Sequence, residues 1–292
     1  MMKIGNSMVA AVRHYLDHNA TSPLRPEARE VMLDALNDPG NASSIHQEGR
    51  RARARIEKAR EAVASLCGAS ARDVIFTSGG TEANILALTP GLKIDGDARP
   101  FTHLLINATE HVCLHEGHRF PPSAVRPIEV EPSGRLRLDH LATLLDEIAR
   151  GDGRALVAVQ AANNETGVLQ PIADISRQVH QSGGVLQCDA VQVAGRLPLD
   201  QVTAGADILA LSAHKIGGPQ GVGALVLRSG GISITDRLLR GGGQERGARA
   251  GTENVAGIAG FGAAARVAEE NLKRYNEHML PLREGAENVI LN

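Results

Sequence analysis

The stretch Ala206-Asp207-Ile208-Leu209-Ala210-Leu211-Ser212-Ala213-His214-Lys215 decides the fold. An apolar run of strand length ends in a polar turn, the pattern of a strand buried on both faces. In open α/β sheets the carboxyl ends of such strands are where ligands bind. Lys215 stands at that end. A lysine amine becomes useful chemistry when it forms a Schiff base with a carbonyl. Position alone leaves open the alternative of a solvated loop lysine.

The same arrangement recurs along the chain. Gly184-Val185-Leu186-Gln187-Cys188-Asp189-Ala190-Val191-Gln192 is a short apolar run ending in an acid. A buried carboxylate there needs a cationic partner, and a protonated pyridine nitrogen is one; capping of a following helix is the alternative. Asp73-Val74-Ile75-Phe76-Thr77-Ser78-Gly79-Gly80-Thr81-Glu82-Ala83-Asn84 runs from a strand through a glycine turn into a helix. Its free N–H groups, the helix dipole and the Ser78 and Thr81 hydroxyls make a phosphate cradle. The Gly-Lys-Ser/Thr ending of a nucleotide loop is missing, which disfavours ATP or GTP. Together, lysine, acid and cradle point to pyridoxal phosphate, whose aldehyde, ring nitrogen and phosphate need these three holders.

Two more strand ends carry polar groups. Thr109-Glu110-His111 follows His103-Leu104-Leu105-Ile106, and Asn163-Asn164-Glu165-Thr166-Gly167 follows Ala155-Leu156-Val157-Ala158-Val159. An imidazole at such an end can stack on a ring or move protons, and the amides can bond a ring oxygen or a carboxylate. A turn or cap is the alternative for each. Gly260-Phe261-Gly262-Ala263-Ala264-Ala265 fits the loose dinucleotide pattern but has no strand before it, so it reads as helix packing.

Strands are expected near 74–77, 103–106, 126–130, 155–160, 185–188, 207–211 and 223–227, with helices after most of them. The fold class is therefore α/β, a mostly parallel seven-stranded sheet sandwiched by helices. The 223–227 strand follows its predecessor too closely for a helical crossover and is expected to run antiparallel. A helix starts near Pro26, and a charged one runs from Gly49 to Leu66 with an inward Ile56/Ala59/Val63 stripe and its charges outside. A long helix from about Glu253 to Tyr275 follows, with Pro281 marking a break.

These motifs resemble the class V aminotransferase-like pyridoxal phosphate enzymes, and within them the cysteine desulfurases. The likeness also takes in Tyr15-Leu16-Asp17-His18-Asn19-Ala20-Thr21-Ser22-Pro23, Gly40-Asn41-Ala42-Ser43-Ser44-Ile45-His46 and Gly241-Gly242-Gly243-Gln244-Glu245-Arg246-Gly247-Ala248-Arg249-Ala250-Gly251-Thr252-Glu253-Asn254. It implies the large domain of a fold type I pyridoxal phosphate transferase at 24–262, after an N-terminal segment 1–23. Residues 263–292 would be a connecting helix and the start of an incomplete small domain, with Glu287-Asn288-Val289-Ile290-Leu291-Asn292 as its opening strand. By the resemblance Lys215 is the Schiff-base lysine, Asp189 the partner of the pyridine nitrogen and Gln192 a contact of the ring hydroxyl. His111 stacks on the ring and shuttles protons, and Asn164 contacts cofactor and substrate. Gly80, Thr81, Ser212 and His214 bind the phosphate, and Thr252 is a phosphate ligand given by the neighbouring subunit of a homodimer.

The implied reaction converts L-cysteine to L-alanine, leaving sulfur as an enzyme persulfide for iron–sulfur clusters or other pathways through a sulfur-acceptor or scaffold protein. The family's persulfide cysteine and substrate-carboxylate arginine lie beyond the position of Thr252, in about a hundred further residues. The chain is thus expected to be truncated and its turnover impaired. A selenocysteine lyase, another class V enzyme or a non-catalytic cofactor-binding remnant remain the alternatives. Of its own cysteines, Cys67 continues a helix core stripe, Cys188 should face away from Asp189 by strand alternation, and Cys113 should project about 200° around a helix from His111.

The 292 residues carry a net charge near −2 from 31 Lys+Arg and 33 Asp+Glu, which argues against a general nucleic-acid binder. No apolar run has membrane-spanning length, and the stretch from Met1 to Val9 lacks a convincing signal-peptide core. Three cysteines without Cys-x-x-Cys spacing suggest no metal site and a cytoplasmic protein.

Overall fold

The computed structural model describes residues 14–97, 99–228 and 231–291; the N-terminal stretch read for a signal peptide and Asn292 lie outside them. In chain order the elements begin α1 (Pro26–Asn37), α2 (Gln47–Leu66), β1 (Val74–Thr77), α3 (Gly80–Ala87), β2 (Leu92–Lys93), β3 (His103–Asn107), α4 (Val112–Gly117) and β4 (Val125–Ile128). They continue with α5 (Leu138–Arg150), β5 (Ala155–Gln160), α6 (Ile172–Gln181), β6 (Val185–Asp189), α7 (Leu199–Val202), β7 (Ile208–Ser212), β8 (Gly223–Leu227), β9 (Ser233–Ile234) and α8 (Val255–Leu291). All seven expected strands form, within a residue or two of their expected bounds.

They make one seven-stranded sheet in the order β1-β8-β7-β6-β5-β3-β4. Pairing is parallel from β7 through β4, and β8 alone runs antiparallel, to both β7 and β1. The short link before β8 has that physical cause: a parallel return needs a crossover of a dozen residues or more. The central strands are buried along their whole length. They can be, because both faces are covered: α2, α5, α6 and α8 pack one side of the sheet, and α3 and α4 the other.

Period-2 alternation divides β6 between these faces. Leu186 and Cys188 join the α2/α8 side, while Gln187 and Asp189 turn to the side of α3, where Asn84 meets both. Cys188 therefore faces away from Asp189's side, as alternation requires. Cys67 is fully buried at the end of α2.

The glycines of α8 are packing residues. A Cβ on Gly262 would lie 2.4 Å from the Ala59 backbone of α2, and one on Gly260 would lie 2.6 Å from Met32 of α1. The helices touch where glycine lets them.

Three expectations fail. Residues 287–291 are helical, not a strand, and α8 runs through Pro281 to Leu291. Its burial ends at Ala268, and beyond that local pairs such as Lys273–Glu277 and Arg283–Glu287 support it. Among the described residues, Val289 and Ile290 pair with no strand, so their β-propensity goes unused. Nor do all the charges of α2 lie outside. Arg60 is buried against Glu245, with Nη1 and Nη2 donating to the carboxylate at 2.7 and 2.9 Å. A helical wheel cannot show a partner 185 residues away in sequence.

Candidate active site

The sheet register brings the polar strand ends into one row. Thr77 of β1 and Ser212 of β7 both pair with Gly223 of β8, and Asp189 of β6 pairs with Gln160 of β5. Above this row lies a cavity of about 620 Å³, whose wall includes Gly80, Thr81, His111, Asn164, Asp189, Gln192, Ser212, His214 and Lys215. Nine of the ten expected site residues thus meet in one place. The tenth, Thr252, is exposed and does not line this cavity.

Lys215 sits in a single turn, Ala213–Ile216, that ends at Gly217 with φ +80°. The segment before α1 straps this turn down. Ser22 Oγ donates to the Lys215 carbonyl at 2.9 Å, Ser22 N to His214 O at 2.9 Å, and Arg25 Nε to Ile216 O at 2.8 Å. The Lys215 amine donates to the Asn19 carbonyl. Burial, then the nearby Arg196 charge, lowers its pKa against the pull of Asp189 and Asp17, so more of it is the free amine than in an exposed lysine.

Asp189 is 9 % exposed, and both its oxygens are held: Val191 N donates to Oδ1 at 2.9 Å and Asn84 Nδ2 to Oδ2 at 2.8 Å. Asn84 is in turn fixed by Gln187 Nε2 at 2.7 Å. Burial raises the Asp189 pKa; these two donors and the His111 and Lys215 side chains oppose the rise. A buried carboxylate with fixed donors is poised to meet a cation.

At the other end, α3 starts at Gly80, and its first turn leaves N–H groups without acceptors. Ser78, Gly79, Thr81, Ser212 and His214 surround a neighbouring hollow of about 420 Å³. β8 is drawn in beneath the turn: a Cβ on Gly223 would lie 2.4 Å from Gly79. Glu82 accepts from Ser78 N at 2.7 Å and pairs with Arg249 at 2.9 Å, so the acid of this helix start is neutralised rather than aimed at an anion. A phosphate fits the donors that remain.

His111 is the N-cap of α4, its Nδ1 accepting from Cys113 N at 3.2 Å. That assigns the ring proton to Nε2. The 200° separation expected for Cys113 fails because His111 has extended backbone, φ −61° and ψ 143°, outside the helix. Cys113 lines the same cavity, its Sγ 3.7 Å from Asn84 Nδ2. Burial, then the Asp189 charge, pushes its thiol up to about 11. Alkylation of the native protein should therefore label Cys113 alone, at a rate rising about tenfold per pH unit between pH 7 and 10. Cys67, pushed by burial to about 12, and the fully buried Cys188 should stay unlabelled; mass spectrometry of peptides reads all three.

Of the Asn pair, Asn163 builds its own turn, accepting at Oδ1 from Glu165 N and Thr166 N at 2.9 Å each, and Asn164 faces the cavity. Gln192 lines it too, with its amide donating to Asn19 O at 3.0 Å and accepting from Arg196 at 2.9 Å. Sequence reasoning assigned no role to Asp17, Asn19, Asn84 or Gln160, which also line the cavity. Asn84 had a signal, one helical turn after Gly80 and so on the same face.

Comparison with known proteins places this geometry. The family model "Aminotransferase class-V" matches residues 14–292. The chain is 41% identical over 270 residues to a cysteine desulfurase of Frankia sp. (strain EuIK1), covering 88% of this chain and 63% of that protein. It is 38% identical over 281 residues to the IscS-like cysteine desulfurase of Mycobacterium tuberculosis, covering 92% and 69%. Among solved structures, the NifS-like protein from Rickettsia africae superposes with a TM-score of 0.84 at 35% identity, covering 94% of this chain and 74% of that one. The chain belongs to the class V aminotransferase family. It spans about two thirds of the length of the cysteine desulfurases it matches.

Proposed function

We propose that this chain forms the cofactor-binding part of a pyridoxal phosphate-dependent cysteine desulfurase, acting on L-cysteine. The observation that carries the reading is a single cavity holding a buried, doubly bonded carboxylate, a lysine amine and a helix-start cradle. The group fits these residues: Asp189 would meet its ring nitrogen, Lys215 its aldehyde, and Gly80, Thr81, Ser212 and His214 its phosphate. His111 would lie against the ring, and Asn164 and Gln192 would contact its polar edge. When bound, it supplies a carbonyl for an amine and a ring that withdraws electrons from the substrate's Cα.

The chain's own groups then handle protons and position. Lys215, whose hold on its proton burial and Arg196 weaken, takes one from the substrate side and returns it. His111, with its N–H at Nε2, is the second proton carrier at the mouth. Asp189, as the anion, would hold a positive charge on the ring nitrogen. The names of the relatives, cysteine desulfurase and IscS-like, together with a neighbour solved "in complex with cysteine" at 30% identity and TM-score 0.75, support cysteine as the substrate.

The wider reading includes a homodimer in which Thr252 reaches the partner's cradle, a cytoplasmic location, and a sulfur-accepting scaffold protein. Residues 24–262 form the large domain in this reading, and 263–292 the link to a smaller one. Among the described residues no helix is long and apolar enough to cross a membrane.

The test is spectroscopic. Protein loaded with pyridoxal phosphate should change its visible absorbance on adding L-cysteine and not on adding D-cysteine. No loading, or the same response to both, overturns the reading. Asp189→Asn should still load but respond about a hundredfold more slowly, the scale of losing a positioned electrostatic group.

A further inference from the structure

Behind His111 lies a second buried carboxyl that the proposed chemistry does not use. Glu110 is 8 % exposed and does not line the cavity. Its Oε1 accepts from the backbone N–H of Gln160, at the end of β5. Its Oε2 is buried with no hydrogen-bond partner among the described residues, as is the nearby Asn107 Oδ1. The same corner is tied by two more bonds, Gln160 Nε2 to Thr109 O at 2.6 Å and Asn163 Nδ2 to Thr109 O at 3.0 Å.

We propose that Glu110 is a proton-holding positioning residue: as a neutral acid it fastens the Thr109–His111 turn to the end of β5 and leaves Asp189 the anion of the cavity. Two neighbouring buried carboxyls cannot both ionise cheaply. The geometry assigns the proton. Asp189 has a donor on each oxygen and faces Lys215 and His111, whereas Glu110 accepts from Gln160 N–H at Oε1 and has no hydrogen-bond partner at Oε2 among the described residues. A carboxylate with an unmet buried oxygen is costly, while an O–H there supplies the donor this corner lacks. Burial, then the Asp189 charge, pushes Glu110 in the same direction, with the Gln160 N–H opposing it. The titratable groups around it are Asp189 on β6, His111 and Cys113 at α4, and Cys188 on β6.

The proton on Glu110 is a property of the chain; its value for keeping Asp189 charged toward a ring nitrogen rests on the functional reading above. Glutamine is the isostere of a neutral glutamic acid, so the decisive comparison is Glu110→Gln against Glu110→Ala. Isotope-edited infrared of protein with labelled glutamate, with no cofactor added, should show a carboxylic-acid C=O band at pH 7.5 that is missing in Glu110→Gln. At pH 5, where keeping the proton has as yet cost little stability, Glu110→Gln should melt close to wild type and bind pyridoxal phosphate within about threefold of it. Glu110→Ala should lower the midpoint by several degrees and weaken binding tenfold or more.

The sign of the pH effect is fixed. The unfolded chain releases this proton near the ordinary glutamate value of about 4.3, and the folded one keeps it. Wild type should therefore lose stability relative to Glu110→Gln as pH rises from 5 to 8. A wild-type protein without the acid band, or a band that persists in Glu110→Gln, overturns the proposal, as does Glu110→Gln behaving like Glu110→Ala. If neither wild type nor variant binds pyridoxal phosphate, the functional reading falls while the infrared band still decides Glu110.

Discussion

Lys215→Ala mixed with pyridoxal phosphate and then reduced with borohydride should carry no pyridoxyl label, whereas wild type should carry a single one, on Lys215. The site makes this an all-or-none result. Lys215 is the lysine of the cavity wall, its turn is clamped by Ser22 and Arg25, its amine donates to the Asn19 carbonyl, and burial with Arg196 lowers its proton affinity. A surface lysine such as Lys273, 90 % exposed in its side chain, has neither property, so Lys273→Ala should label as wild type does. Lys215→Ala should also slow any response to L-cysteine by about 10³-fold, within the range for a positioned proton-transfer group. Label on Lys215→Ala at the wild-type level would remove the lysine from the chemistry. Label on wild type at several lysines would remove the cavity.

How far such a site is legible in the sequence depends on which physical rule places each residue. Asp189, Ser212 and Lys215 were readable because strand runs and their ends are local patterns, and parallel order puts all those ends on one edge. Direction within β6 was equally readable: alternation alone sends Cys188 to one face and Asp189 to the other. Cys113 was misplaced because a helical angle was applied across a cap, where the backbone of His111 is extended. Residues 287–291 were misread because a short run such as Val289-Ile290-Leu291 suits strand or helix, and only pairing decides between them. Asn19 and the Arg60–Glu245 pair were out of reach. Their contacts join segments 196 and 185 residues apart, and no local period encodes such a meeting.

That distant pair sets the largest stability effect expected in the molecule. Arg60→Ala should lower stability by about 3–5 kcal/mol, the cost of leaving one member of a buried ion pair uncompensated. Side-chain exposure is 4 % for Arg60 and 3 % for Glu245, so water cannot replace the lost guanidinium. Glu245 also accepts from Phe76 N at 2.9 Å, and Arg60 donates to Val74 O at 2.8 Å and lies 4.8 Å from the Phe76 ring. One substitution thus strips contacts from β1, the strand that leads into the cradle at Gly80. Glu245 and Arg246 hold φ +46° and +54°, left-handed values that cost of order 1 kcal/mol or more each outside glycine and persist only where surroundings impose them. Once Arg60 is removed, the segment from Gly241 to Thr252 is free to relax, so limited proteolysis there should accelerate along with a melting midpoint roughly 10 °C lower. Arg60→Met combined with Glu245→Gln should recover much of the loss, because the amide still accepts from Phe76 N–H and no buried charge remains. A double variant as unstable as Arg60→Ala would assign the effect to the packing of the guanidinium stem rather than to the charge it neutralises.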